Sequence, residues 1–259
     1  MARRKLGQHF LASEKALKII ADAACGSTDE EPVPLAIEIG PGRGALTEQL
    51  LLRAEHVVAI ELDPELARHI KGRWFKDPRI EIVEANALHV DWTAWGPGIL
   101  AGNLPYYVAT AIISRYLMAP GELSHGVFLI QKEVAERITA RPGSREYGYF
   151  SVECQFLAAV EYLHTVAPGA FRPPPKVDSA VVRLTPLTRE PALDAKFIKD
   201  FLGFVSVCFR QKRKTLRNNL SAFYRREALM ARPELAGRAE ELAVPRFLDL
   251  YRKLAPERL

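Results

Sequence analysis

The chain has 259 residues, 48% of them hydrophobic and 26% charged, with a mean hydropathy of −0.06. That length suits one large domain, or a medium one with a small appendage, and the composition speaks against a disordered chain, a collagen-like fibre and a membrane protein. The formal charge of +5 is unevenly spread: residues 1–188 hold 20 Lys and Arg against 22 Asp and Glu, a net of −2, whereas residues 189–259 hold 16 against 9, a net of +7. A near-neutral core part carrying a basic module for nucleic acid or a membrane surface is the expectation.

In chain order, Glu14 to about Ala24 places Leu17, Ile20, Ala21 and Ala24 at helical spacing, and a polar loop from Gly26 to Pro32 ends that helix. Strand-like and helix-like segments then alternate. Leu35–Ile39, Val57–Ile60, Ile80–Val83, Ile99–Ala101 and Val127–Ile130 read as strands. Between and after them, Ala45–Arg53, Pro64–Phe75, Thr110–Leu117 and Lys132–Thr139 read as helices. Short apolar strands alternating with helices predict a mainly parallel sheet covered on both faces, and Ser179–Leu184 reads as its last strand. After Pro186 the texture turns helical, with periodic stretches at Phe197–Phe209, Lys214–Tyr224, Glu240–Leu242 and Phe247–Leu254. The expectation is an α/β domain over residues 1–187 and a small all-helical domain over 188–259.

Three cysteines, Cys25, Cys154 and Cys208, form no CxxC pair, so no zinc site or disulfide framework is expected and a reducing cytoplasm fits. The basic opening Arg3-Arg4-Lys5 is not followed by the apolar run of a signal peptide. No stretch reaches the roughly 18 uncharged apolar residues of a membrane span. The six histidines show no ligand spacing, and no GxSxG, HExxH, P-loop or PCxxC motif is present, so no metal is expected.

The first predicted strand runs into Glu38-Ile39-Gly40-Pro41-Gly42-Arg43-Gly44. Glycines at such a turn let backbone approach a ligand closely. Glu61 follows 21 residues after Gly40, at the end of the next strand, where a carboxylate can accept from both ribose hydroxyls. The pattern points to an adenosine-containing cofactor and by itself fits both NAD and S-adenosylmethionine. Glu38, suited to an ammonium group, and Pro41, which stiffens the loop, favour S-adenosylmethionine.

The fourth strand ends in Gly102-Asn103-Leu104-Pro105-Tyr106-Tyr107, at the strand end that faces the ligand crevice of an α/β fold. Asn103 offers an amide oxygen, and Pro105 fixes the chain so that the Leu104 carbonyl can point the same way. Two converging acceptors suit an exocyclic amine such as adenine N6. Binding both N–H groups favours a pyramidal nitrogen and aims its lone pair at an electrophilic methyl. Tyr106 can stack on a base that has left its helix.

With these residues in place, the chain resembles the KsgA-type rRNA adenine N6-dimethyltransferases over nearly its whole length. The resemblance runs through Gly7–Leu11, Glu38–Gly44, Glu61–Asp63, Asn103–Tyr106, Gln131–Val134, Tyr147–Val152, Phe171–Ser179 and Gln211–Leu220. It implies a Rossmann-like S-adenosylmethionine-dependent sheet. It further implies that His9 and Leu11 close over the methyl donor with Gln8 and Phe10 nearby, that Gly40 and Gly42 pass beneath its methionine part, and that Glu61 holds its ribose. Asn103 and Leu104 would bind the target N6, Tyr106 would stack on the adenine, and Phe171 would close the pocket. The implied substrate is two adjacent adenines in a hairpin near the 3′ end of small-subunit rRNA, dimethylated by a monomeric cytoplasmic enzyme in an assembling subunit. Where the family usually has Asp-Ala after the third strand, this chain has Asn86-Ala87, and Asn86 is expected to accept from the donor's adenine amine without charge. After Tyr106 the chain continues Tyr107-Val108-Ala109 instead of the common Asn-Ile-Ser.

Arg210, Lys212, Arg213, Lys214 and Arg217 put five cations into eight residues; on a helix they would cover more than one face, and they are expected to neutralise RNA phosphates. Three alternatives stand beside this reading: a large-subunit rRNA methyltransferase of the erythromycin-resistance type, a non-catalytic RNA-binding assembly factor, and an NAD-dependent dehydrogenase. The opening Gly7–Leu11 and the block Arg213–Leu220 favour the small-subunit type. The intact Asn103–Tyr106 argues against a mere binder, and no hydride-transfer site is visible.

Overall fold

Ser13, whose side chain accepts from the Ala16 N–H, caps the first helix α1 (Glu14–Cys25), as expected of a serine at that position. In this computed structural model, residues 9–119, 122–188 and 194–257 are described. The strands are β1 (Phe10–Leu11), β2 (Val33–Ile39), β3 (Ala54–Glu61), β4 (Ile80–Glu84), β5 (Gly98–Asn103), β6 (Leu123–Gln131), β7 (Ala158–Val166), β8 (Phe171–Arg172) and β9 (Ser179–Pro186). The helices after α1 are α2 (Ala45–Leu51), α3 (Pro64–Arg73), α4 (Ala109–Met118), α5 (Lys132–Ile138), α6 (Tyr149–Leu157), α7 (Ala195–Cys208), α8 (Leu216–Leu220), α9 (Arg226–Met230) and α10 (Val244–Leu254).

Seven strands form one sheet in the order β4-β3-β2-β5-β6-β9-β7. The pairs β3–β4, β2–β3, β2–β5 and β5–β6 are parallel, whereas β6–β9 is antiparallel. Ala36, Val57, Ile99, Ala101, Val127 and Leu129 share one face, where α1 and α2 cover them. Their neighbours one residue on face the other way, and there the Tyr116 ring of α4 meets Phe128 edge-on at 5.8 Å. Continuous apolar runs are what strands covered on both sides require.

The chain divides into two compact units. One comprises residues 1–135 and 159–186, the other residues 136–158 and 187–259. The helical unit is thus built from two stretches of chain, with α6 added to the tail that the charge and texture marked. Within it Phe201 packs on Phe156 at 4.4 Å and on Tyr251 at 5.7 Å, and Phe204 also meets Tyr251. Phe201, Phe247, Leu250 and Leu254 are buried there. The Leu187 N–H donates to Leu157 O, and the Gly143 N–H to Glu240 O, tying the two stretches together.

Besides the short α9 (Arg226–Met230), four elements had no counterpart in the sequence reading. α6 follows the Gly-containing loop; β7 is largely exposed on its side chains; and β1 and β8, two residues each, pair antiparallel, Phe10 opposite Arg172 and Leu11 opposite Phe171. The helix expected over Lys214–Tyr224 is shorter. α8 begins at Leu216 because Thr215 caps it, its side chain accepting from the Asn218 N–H.

Candidate functional site

The glycine loop leaves β2 with Gly40, Gly42 and Gly44 at φ of 71°, 57° and 83°. These are left-handed values that residues with a Cβ rarely adopt. The Gly40 N–H continues the sheet to Ile60 O. At Gly42 a Cβ would also stand 3.1 Å from the Phe10 ring. The loop is therefore shaped to keep its backbone bare.

Glu61 ends β3, nearly buried, and its two carboxylate oxygens are separately held. Oε2 accepts from the Gly42 N–H at 3.0 Å and Oε1 from the Asp63 N–H at 2.9 Å. Burial pushes its pKa up while these bonds pull it down. Glu38, near the end of β2, is fully buried; Thr47 in α2 donates to its Oε2 at 2.6 Å. Burial raises the Glu38 pKa to about 8, against the Thr47 hydrogen bond and with a smaller push from the Glu61 charge.

At the end of β5, the Leu104 N–H bonds to Leu129 O, and Pro105 O accepts from the Val108 and Ala109 N–H groups that begin α4. Asn103 Nδ2 donates to His9 O at 3.1 Å. That bond settles which way the amide faces: its nitrogen is used by the N-terminal segment, so Oδ1 remains as the acceptor. The half-buried Tyr106 has its hydroxyl 2.6 Å from Ser179 Oγ, and its ring centroid is 6.1 Å from that of His9.

The β1–β8 ribbon brings the N-terminal segment and Phe171 to this place. Ala12 and Ser13 N–H groups both donate to Ala170 O, and His9 Nδ1 lies 2.9 Å from Pro173 O. A cleft of about 440 Å³ results, lined by His9, Phe10 and Leu11, by Glu38, Gly40, Gly42 and Glu61, by Asn103 to Tyr106, and by Phe171. Eleven of the residues expected at the donor and target sites thus line one cavity. Asn86 does not; its Oδ1 accepts from the Leu88 N–H at 3.0 Å, a turn-forming bond. Gln8 lies outside the described residues.

Thr47, Arg43 and Ser179 were not assigned roles from sequence. Arg43 stands over the Phe10 ring at 4.8 Å, and its position inside the glycine loop was the available signal. Thr47 and Ser179 act through side chains distant in sequence, and no local pattern announces such contacts.

In the helical unit, the five cations lie in a turn and the start of α8 rather than along a helix. Arg210, Lys212, Arg213 and Lys214 are exposed between α7 and α8. The turn is held by Asn219, nearly buried, whose Nδ2 donates to Cys208 O and Gln211 O and whose Oδ1 accepts from the Gln211 N–H. Lys212 Nζ also donates to Arg145 O at 2.8 Å. Arg217 differs from the other four: it is half-buried, with Nη2 directed at Arg232 O. Among the described residues no group of His, Cys, Asp and Glu is placed to hold a metal, and no helix is long and apolar enough to cross a membrane.

The family described as "Ribosomal RNA adenine dimethylase" matches residues 1–255. Among curated proteins, "Ribosomal RNA small subunit methyltransferase A" of Acidobacterium capsulatum is 43% identical over 96% of this chain and 90% of its own length. The protein of that name from Rubrobacter xylanophilus is 40% identical over 98% and 95%. Among solved structures, a dimethyladenosine transferase from Plasmodium falciparum superposes with a TM-score of 0.80 at 22% identity, covering 96% of this chain and 99% of that one. It shares the fold. The 23S rRNA methyltransferase ErmE follows at a TM-score of 0.69 and 28% identity, over 95% and 99%.

Proposed function

This chain belongs to the ribosomal RNA adenine dimethylase family, and from that premise we propose that it dimethylates N6 of two adjacent adenines in a hairpin near the 3′ end of small-subunit rRNA, in an assembling subunit. It is an S-adenosylmethionine-dependent rRNA methyltransferase of Rossmann-like fold. The observation that carries the N6-transfer reading is the orientation of Asn103 in the cleft: with Nδ2 engaged by His9 O, Oδ1 is the acceptor an amine needs.

The residues present fit the methyl donor. The bare loop at Gly40 and Gly42 admits a close ligand. The clamped Glu61 carboxylate offers lone pairs to ribose hydroxyls, and Glu38 offers a buried carboxyl to an ammonium group. When bound, S-adenosylmethionine supplies an electrophilic methyl on a sulfonium centre. The protein's part is positional. Asn103 Oδ1 and the Leu104 carbonyl accept from the N6 hydrogens and return electron density to nitrogen, while Tyr106 and Phe171 flank the base and keep water from it. The N6 proton turns acidic only as the methyl arrives, so no strong base is required.

Residues 1–187 are assigned to donor, base and chemistry, and residues 188–259 to gripping folded RNA. Arg210, Lys212, Arg213 and Lys214 make the phosphate contacts, and Arg217 supports the turn from inside. The protein is read as a cytoplasmic monomer. The test offers labelled S-adenosylmethionine with undermethylated small subunits and, separately, large-subunit RNA. Dimethyladenosine in the small subunits is expected. Transfer only to large-subunit RNA would move the chain to the erythromycin-resistance type, and transfer to neither would favour a binding role. Asn103→Ala should abolish transfer and leave RNA affinity near that of the parent.

A further inference from the structure

The segment from Phe171 to Ser179 reaches the cleft twice, at its first residue and, indirectly, at its last. Phe171 lines the cavity. Ser179 is fully buried, opens β9 opposite Gln131 of β6, and follows Asp178, whose carbonyl accepts from the Lys132 N–H at 3.0 Å. Its place is thus set by a sheet ladder and not by a loop. A buried serine needs a hydrogen-bond partner, and any nearby carbonyl would satisfy it. Instead its Oγ meets the Tyr106 hydroxyl at 2.6 Å, across 73 residues of chain.

Tyr106 needs such an anchor. It lies in the turn between β5 and α4, where backbone bonds fix the main chain and leave the ring free to rotate among its rotamers. The hydroxyl is the end of that lever. Holding it to a sheet residue fixes the ring plane, and stacking on a planar base depends on that plane.

We propose that Ser179 is a positioning residue for the target base, its hydrogen bond to Tyr106 orienting the ring on which the adenine stacks. One segment thereby sets both aromatic walls, Phe171 directly and Tyr106 through Ser179. The proposal deepens the functional reading above and rests on its placement of adenine against Tyr106.

The experiment compares the parent, Ser179→Ala, Ser179→Thr, Tyr106→Phe and the double variant Ser179→Ala/Tyr106→Phe. Steady-state transfer to undermethylated small subunits is measured with a parallel titration of methyl donor. 2-Aminopurine at the target position of a hairpin RNA reports unstacking of the base. Ser179→Ala and Tyr106→Phe should each lower kcat/KM for RNA about three- to tenfold, leave the KM for the donor unchanged and alter the 2-aminopurine signal alike. The double variant should be no worse than the more affected single one, and Ser179→Thr should restore most of the loss. Multiplying effects in the double variant, a donor KM that moves as much as the RNA KM, or Ser179→Ala at parental efficiency would overturn the proposal. Should Ser179→Ala fail to fold, Tyr106→Phe at parental efficiency would overturn it equally. A parent inactive on every RNA strikes the functional reading itself, whereas an active parent with independent variants strikes only this proposal.

Discussion

Glu38→Gln separates the electrostatics of the donor site from its shape. In the ligand-free protein the Glu38 carboxyl has a pKa of about 8 against a usual 4.5, chiefly through burial, so it holds its proton in the folded state between those pH values while the unfolded chain releases it. The sign follows from linkage. A raised folded-state pKa gives a contribution that is complete below about pH 4.5 and is lost as pH rises through about 8. At about 1.36 kcal/mol per pH unit, the difference between 4.5 and about 8 sets a ceiling of roughly 5 kcal/mol on the stability lost by pH 9. Glutamine mimics the protonated acid and can still accept from Thr47, so the variant should escape that loss.

Urea unfolding of both proteins without methyl donor at pH 5.5, 7 and 9 checks this. The variant should exceed the parent by only about 1 kcal/mol near pH 5.5 and by several kcal/mol at pH 9. The raised pKa of Glu61 acts in the same direction in both proteins and largely subtracts. Parallel stability curves across the whole range would refute the reasoning, because they would mean that Glu38 ionises without penalty. In calorimetry, donor binding by the parent should be accompanied by proton release near pH 7, as an ammonium group favours the carboxylate. The variant should bind more weakly and release none.

Gly42→Ala places a Cβ at φ 57° and 3.1 Å from the Phe10 ring; with roughly 1–2 kcal/mol for the left-handed backbone, a Tm lower by about 2–4 °C and weaker donor binding are expected in thermal melts and titrations. Unchanged values in both would show that the loop tolerates a side chain. Replacing Lys212, Arg213 and Lys214 by Ala should lower the slope of log affinity for rRNA against log salt by about 2, with donor affinity untouched. An unchanged slope would remove these cations from the RNA contact. Asn219→Ala leaves Cys208 O and Gln211 O without their donor, at about 1–3 kcal/mol for the unmade bonds. Amide exchange in residues 209–215 should quicken, and protection equal to the parent's would deny Asn219 its role in the turn.

What was legible in the sequence is what is local. The five central strands, the glycine loop and Glu61 follow from patterns a few residues long, and each was placed within a few residues of its observed bounds. β7 escaped because Glu161, Tyr162 and His164 break the apolar run of a buried strand. The β1–β8 ribbon escaped because two-residue strands pairing Phe10 with Arg172 carry no periodicity. Asn86 was expected at the donor site from the resemblance, and its oxygen in addition closes a local turn with Leu88, a bond that no sequence pattern around it announced and that leaves the oxygen a second lone pair.

The basic cluster shows why composition and conformation answer different questions. Charge counting identified five cations, but a helix would have spread them at fixed angles along one rod, whereas the turn gathers four at its exposed tip and sends Arg217 inward to Arg232 O. Asn219, from α8, binds the entry to that turn, Cys208 O before it and Gln211 within it, so the cations are presented by backbone held in one conformation. Such an arrangement loses little entropy on meeting a phosphate surface of matching shape, and phosphate contacts of this kind position the RNA without reading its bases. On the proposed function, discrimination between adenine and other bases therefore belongs to Asn103 and its neighbours, and the turn contributes affinity that salt can erase. Raising salt should accordingly increase the KM for RNA while leaving kcat and the identity of the methylated base unchanged.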